Sequence, residues 1–259
     1  MTKKIDFAKY SSMRVGGVFD VKIIQKCSDF DEQYYILGSC NNILMGTNPP
    51  PLAMLSKEFD YIKIKENMLL VGGATPSGKI ASFCKKHNIG GFEFLSHLPG
   101  KLGGLIKMNA GLKEFEIFNN LISVSTCKGV LKKRDITYGY RFADISSPVI
   151  EASFEISCGF RSDMVEMFKK MRSNQPKLSS AGSCFKNPKG DFAGRLIEAV
   201  GLKGFRVNDM EFSTKHANFL VNHGNGKFED ALFLIEEAKK RVYEKFGISL
   251  ECEIAILNQ

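Results

Sequence analysis

A change of texture at Cys158-Gly159 constrains the fold of this chain more than any other feature of its sequence. Before it, short β-branched, aromatic or aliphatic runs alternate with glycine-rich turns. Val18 to Gln25, Tyr34 to Leu37, Tyr61 to Lys65 and Met68 to Val71 read as strands, the third alternating between apolar and lysine positions. Pro76 to Asn88 reads as a helix, with Pro near its first turn and Gly90-Gly91 just beyond its end. Leu121 to Cys127 and Val130 to Lys133 flank Lys128-Gly129, a hairpin signal. Val149 to Ser157 places Ile150, Ala152, Phe154 and Ile156 on one face of a half-buried strand. After Gly159, helical spacing takes over: Met164, Val165, Phe168 and Met171 in Arg161 to Arg172, then a short helix from Asp191, its cap, to Val200, stopped by Gly201. Ala217 to Asn222 is strand-like, and Phe228 to Phe246 is the longest amphipathic helix, with Leu232, Ile235, Val242 and Phe246 along one stripe and Gly247 ending it. Leu250 to Leu257 reads as a closing strand in which Glu253 projects away from the core. The expected class is α+β, in two parts, 1–158 and 159–259, with no repeat or flexible linker.

Composition narrows function by exclusion. With 44% hydrophobic and 25% charged residues, the chain is neither collagen-like nor disordered. Cysteines stand at 27, 40, 84, 127, 158, 184 and 252 without a C-x-x-C pair, so no disulfide framework and no metal site are expected, only small buried thiols in a reducing compartment. Met1 to Tyr10 has no apolar stretch behind its Lys3, Lys4 and Lys9, so a cytoplasmic chain without a membrane partner is expected. The formal net charge of +8 is dispersed, which favours small anionic ligands over nucleic acid.

Loops are where such a ligand would sit. Gly73 to Ile80 has the spacing of a Walker A loop between a strand and a helix, but Ile80 stands where Mg²⁺ needs a hydroxyl, so a nucleotide triphosphatase is the weaker reading. The loop Gly38-Ser39-Cys40-Asn41-Asn42-Ile43 combines small residues with exposed N–H groups and makes an anion nest. Gly90 to Gly111 is unusually rich in glycine, and the loop within it, Glu93 to Gly111, lacks the Rossmann spacing.

Taken in order, Tyr10 to Gly17, Leu37 to Leu44, Glu93 to Gly111, Tyr138 to Arg141, Ser180 to Pro188, Phe192 to Gly204, Lys215 to Asn222 and Leu250 to Glu253 resemble the UDP-N-acetylenolpyruvoylglucosamine reductases, in the shorter subtype without a tyrosine loop. The strings P-G-x-x-G-G-x-x-x-M-N-A-G and A-G-S-x-F-K-N-P are the most diagnostic. The resemblance implies an FAD-binding fold of the vanillyl-alcohol-oxidase type in two subdomains, with their boundary near 66–70, followed by a C-terminal α+β substrate-binding domain. It also implies noncovalent FAD, NADPH as reductant, a UDP-sugar enolpyruvyl ether as substrate, a role in peptidoglycan precursor synthesis and a monomer.

The site residues follow from the same resemblance. Arg141 matches the family's carboxylate-binding arginine, Ser183 its proton donor and Glu253 the glutamate of its closing strand. Flavin contacts are expected from Gly38, Ser39, Cys40, Asn41, Asn42, Ile43, Leu98, Pro99, Gly100, Gly103, Gly104, Asn109, Ala110 and Gly111, and substrate contacts from Tyr140, Lys186, Asn187, His216 and Asn218. Each has a structural rival: Arg141 paired with Asp144, Ser183 capping a turn, Glu253 solvated. Two departures stand out: Gly-Ser-Cys-Asn-Asn replaces the family's usual Gly-Gly-Gly-Ser-Asn, and Ser96-His97-Leu98 replaces Ser-Gly-Ile. Competing functions are a sugar-acid oxidase on the same flavin fold and a phospholigand-binding module without catalysis.

Overall fold

The computed structural model describes residues Met1–Gln259. It is α+β and divides into two compact units. The first comprises Met1–Lys3, Val21–Ser39 and Pro51–Ser173, and the second Lys4–Asp20, Cys40–Pro50 and Asn174–Gln259.

In the first unit, five antiparallel strands run in the spatial order Gly129–Lys132, Leu121–Thr126, Val149–Glu155, Met68–Gly72, Ile62–Lys65. Val149–Glu155 lies in the middle, and its apolar face explains why: Ala152 and Phe154 are completely buried, and Phe154 meets Phe92 edge to face at 5.4 Å. The hairpin expected around Lys128 is present, with Thr126 opposite Gly129, so Cys127 and Lys128 form its turn and Gly129 belongs to the strand. A second, parallel arrangement pairs both Val18–Ile24 and Tyr35–Leu37 with Leu52–Leu55.

Helices Ser77–Lys86, Leu102–Lys107 and Ser162–Met171 belong to this unit. The last begins beyond Gly159, yet Phe168 is fully buried against Phe94 and Phe115. The buried Glu93 carboxylate also accepts the Gly91 and Arg161 N–H groups, each at 2.8 Å. The last segment of the first unit thus runs through this helix to Ser173.

The Walker-like segment is explained by packing. A Cβ on Gly73 would lie 1.8 Å from the Val149 carbonyl oxygen, so the glycine is there for close strand contact. Lys79 bonds Asp60 at 2.8 Å, and Ile80 is buried in the core. This overturns the phosphate-loop reading, because the lysine is engaged with a carboxylate and the Mg²⁺ position is apolar. Lys79→Ala should leave turnover unchanged and, as a half-exposed ion pair, cost no more than about 1 kcal/mol in urea unfolding.

The expectation of free thiols throughout is corrected at two positions: Cys27 and Cys127 are joined as a disulfide, their Cα atoms 4.9 Å apart across a sequence separation of 100. Sequence spacing could not bring them together, because the contact depends on how the hairpin turn and the 27–29 turn fold. Cys40, Cys84 and Cys184 are buried and take no part in a disulfide.

The second unit holds a four-stranded antiparallel sheet in the order Ser179–Ser183, Phe219–Asn222, Met210–Phe212, Arg206–Val207. Helix Phe228–Phe246 buries Ala231, Leu234, Ile235, Ala238 and Val242, an i, i+3, i+4, i+7, i+11 stripe, and Gly247 closes it at φ +67°. The short helix is Ala193–Ala199, and Asn187 rather than Asp191 bonds its first N–H, at 3.0 Å. Asp191 is engaged by Arg195, and that guanidinium, with the Phe192 N–H, holds its carboxyl down at about 2. Only Ala255–Leu257 of the expected closing strand is a strand, parallel to Ile43–Met45. No helix is long and apolar enough to cross a membrane.

Candidate active site

Ser183 ends a strand with an irregularity. The register of Ser179–Ser183 against Phe219–Asn222 shifts between Ser180 and Ser183, where Gly182 takes φ +85° and its N–H bonds Ser180 Oγ at 3.2 Å. Such a bulge re-aims the following side chain. Immediately beyond, the Cys184 carbonyl accepts the Glu253 N–H at 2.9 Å, and the Lys186 N–H donates to the Glu251 carbonyl at 2.9 Å. Ser183 and Glu253 thus sit on adjacent, hydrogen-bonded segments. The flavin-loop candidates from Cys40 onward join them: Asn42 Nδ2 donates to the Glu253 carbonyl at 2.8 Å, and the Ala255 N–H donates to the Asn42 carbonyl at 2.9 Å.

Several expected substrate contacts are engaged with the protein itself. Asn218 is buried, and its amide binds both main-chain groups of Phe185, accepting from N at 3.0 Å and donating to O at 2.8 Å. It holds the strand end that carries Ser183, a framing role beside the substrate contact expected of it. Asn187 bonds a helix N-terminus, and Lys186 is ion-paired with Glu251. The His216 ring packs on Phe219 at 4.9 Å, its Nδ1 accepts the Asn218 N–H at 3.3 Å, and burial pulls its pKa below the ordinary value. It is a neutral, packed imidazole.

In the first unit, Tyr140 and Arg141 lie at the tip of the ribbon Tyr138–Gly139 and Phe142–Ala143. Arg141 takes φ +59°, its guanidinium stacks over Tyr140 at 4.9 Å, and its Nη2 donates to the Gly111 carbonyl at 3.1 Å. Asn109, fully buried, donates through Nδ2 to Glu116 at 2.7 Å and to the Gly139 carbonyl at 3.1 Å. The M-N-A-G string therefore supports the arginine ribbon. Glu116 escaped the sequence reading; its only signal was a carboxylate shortly after that string.

The glycines of the loop fall into two kinds. Gly100 takes φ +158°, where an added Cβ would press on Leu105 at 2.8 Å, and Gly103 packs against main chain. Gly38 and Gly104 have no atom within 4 Å of an added Cβ, so there is space beside their Cα atoms. Leu98, Pro99, Ala110 and Ser39 flank these positions, while Asn41 and Ile43 bracket Asn42. Cys40, where the family favours glycine, is held at φ +52° with its thiol buried. No group of three or more His, Cys, Asp or Glu is placed to hold a metal ion.

Comparison with known proteins decides the family. Residues 174–257 match the family described as UDP-N-acetylenolpyruvoylglucosamine reductase, C-terminal domain. The chain is 48% identical over 258 residues to the UDP-N-acetylenolpyruvoylglucosamine reductase of Campylobacter jejuni (strain RM1221), covering 98% of this chain and 99% of that one. The chain belongs to the UDP-N-acetylenolpyruvoylglucosamine reductase family.

A reductase of the same name from Helicobacter pylori (strain 26695) is 44% identical over 253 residues, covering 98% of each chain. The crystal structure of UDP-N-acetylenolpyruvylglucosamine reductase from Thermus caldophilus superposes with a TM-score of 0.87 at 27% identity, covering 99% of both chains. The α+β class expected from the sequence is the one this reductase family has.

Proposed function

We propose that the chain catalyses the NADPH-dependent, FAD-mediated reduction of the enolpyruvyl ether of UDP-N-acetylglucosamine to UDP-N-acetylmuramate, a step of peptidoglycan precursor synthesis. Full-length identity of 48% to a reductase of that name is the observation that carries this reading. The space beside Gly38 and Gly104, where an added Cβ would meet nothing within 4 Å, fits the close approach of a flavin to a glycine-rich loop. When bound, the flavin supplies hydride to the terminal carbon of the enolpyruvyl double bond.

The protein's own groups manage the charge and proton that this addition creates. Electron density flows toward the carboxylate, so an enediolate must be stabilised. Arg141 presents a fork of N–H groups suited to that carboxylate, its side chain fixed by Gly111 and Tyr140. Ser183 Oγ delivers the proton to the α-carbon, and Glu253 polarises or helps reprotonate the intermediate. The Asn42 and Cys184 bonds to the Glu253 main chain fix the segment that carries its carboxylate.

A visible spectrum of the purified protein tests the reading. A yellow protein with one FAD per chain should bleach with NADPH and recover on adding the enolpyruvyl nucleotide. A colourless protein that gains no flavin band on adding FAD would overturn it. Turnover with oxygen and a sugar acid, without need of Ser183, would instead mark a sugar-acid oxidase.

A further inference from the structure

We infer that Cys27 and Cys127 form a redox-modification site: a reversible intramolecular disulfide that clasps the connection between strands Val18–Ile24 and Tyr35–Leu37 to the hairpin turn after Leu121–Thr126. Both cysteines sit in turns framed by other bonds. Asp29 Oδ2 accepts the Gln25 and Lys26 N–H groups at 3.0 and 3.1 Å, and the Phe30 N–H bonds the Cys27 carbonyl at 3.1 Å. On the other side, Thr126 Oγ1 donates to the Gly129 carbonyl at 2.9 Å and accepts the Lys128 N–H at 3.1 Å. An ion pair between Lys128 and Glu32 joins the same two segments. Each turn keeps its own internal bonds independently of the sulfurs, and a Cα separation of 4.9 Å lies within the range that a disulfide spans.

Reactivity favours this pair over most other thiols in the chain. Both residues are half-buried, so a small thiol reaches them. Cys40, Cys84 and Cys184 are buried. Burial pushes the Cys84 thiol up to about 12 and raises those of Cys184 and Cys252 as well. Cys158 is exposed, so the test removes it.

The chemistry is two thiol–disulfide exchanges with a low-molecular-weight disulfide such as oxidised glutathione. One protein thiolate attacks the glutathione disulfide, whose S–S bond breaks and releases a glutathione thiolate. The second protein thiolate then attacks the mixed disulfide, forms the Cys27–Cys127 bond and releases the second glutathione thiolate. The protein loses two electrons and two protons, which end on two glutathione thiols, and excess reduced glutathione runs the cycle backwards. The closed state removes loop freedom from the unfolded chain and holds the connection that leads toward Gly38-Ser39.

The full chain carrying Cys158→Ser is equilibrated across reduced-to-oxidised glutathione ratios, alkylated, and examined by peptide mass spectrometry, thermal unfolding and limited trypsin digestion. The expected result is one linked pair of peptides containing Cys27 and Cys127, reversed by reductant. Oxidised protein should melt roughly 5–10 °C higher than reduced protein and resist cleavage after Lys26. Adding Cys27→Ser or Cys127→Ser should abolish both differences. Absence of the linked peptides at every ratio, or linked peptides with unchanged melting and cleavage, would overturn the inference. None of these readouts requires a flavin.

Discussion

Ser183→Ala should leave reduction of the flavin by NADPH near its normal rate while formation of the lactyl product falls by roughly 10³-fold, about 4 kcal/mol of lost transition-state stabilisation. The split follows from where the hydroxyl is needed. Reduction of the flavin involves no protonation of the substrate carbon, whereas hydride addition to the enolpyruvyl group leaves a carbanionic centre that stalls without a proton. Stopped-flow absorbance measures the two half-reactions separately: bleaching on adding NADPH, then recovery on adding substrate. Equal loss in both would refute the proton-donor role and return Ser183 to the capping of a turn. The bulge matters here, since Gly182 at φ +85° sets the direction of the side chain that follows. Ser183→Cys, which keeps a proton on the side chain, should recover part of the second half-reaction.

Asn218→Ala should act through the fold. Its buried amide satisfies both the N–H and the carbonyl of Phe185, and alanine would strand both groups without water. The expected cost is about 3 kcal/mol in chemical unfolding, built from two unpaired main-chain groups and a small void. Turnover should fall as well, because the same strand end positions Ser183, while FAD content stays unchanged. A variant of normal stability with only a raised KM would show instead that Asn218 contacts substrate directly.

The parts of the fold legible in the sequence were those governed by local periodicity. Phe228 to Phe246 was delimited correctly because an apolar stripe and Gly247 carry their own signal, and Met68 to Val71 was found because buried strands are continuous aliphatic runs. Contacts that depend on distant chain segments escaped. Asp191 reads as a cap in sequence, but in space Asn187 bonds the helix N-terminus and Arg195 engages Asp191, and the 250–254 stretch reads as a strand by alternation although its pairing is confined to a bridge between Cys252 and Phe185. In the candidate site, the motifs single out Ser183, Glu253 and Arg141 as candidates, but motif reading does not distinguish a side chain that meets ligand from one that holds the frame. Asn109 and Asn218 belong to the frame through bonds to Glu116, Gly139 and Phe185 that no spacing rule encodes.

Cys40 carries a consequence for how this loop can drift. Its left-handed backbone costs a residue with a β-carbon about 1 kcal/mol, and burial of its side chain recovers a similar amount. Exchange for glycine would refund the first and forfeit the second, so the two residues are near-isoenergetic there. A lineage can wander between them without passing through an unstable intermediate.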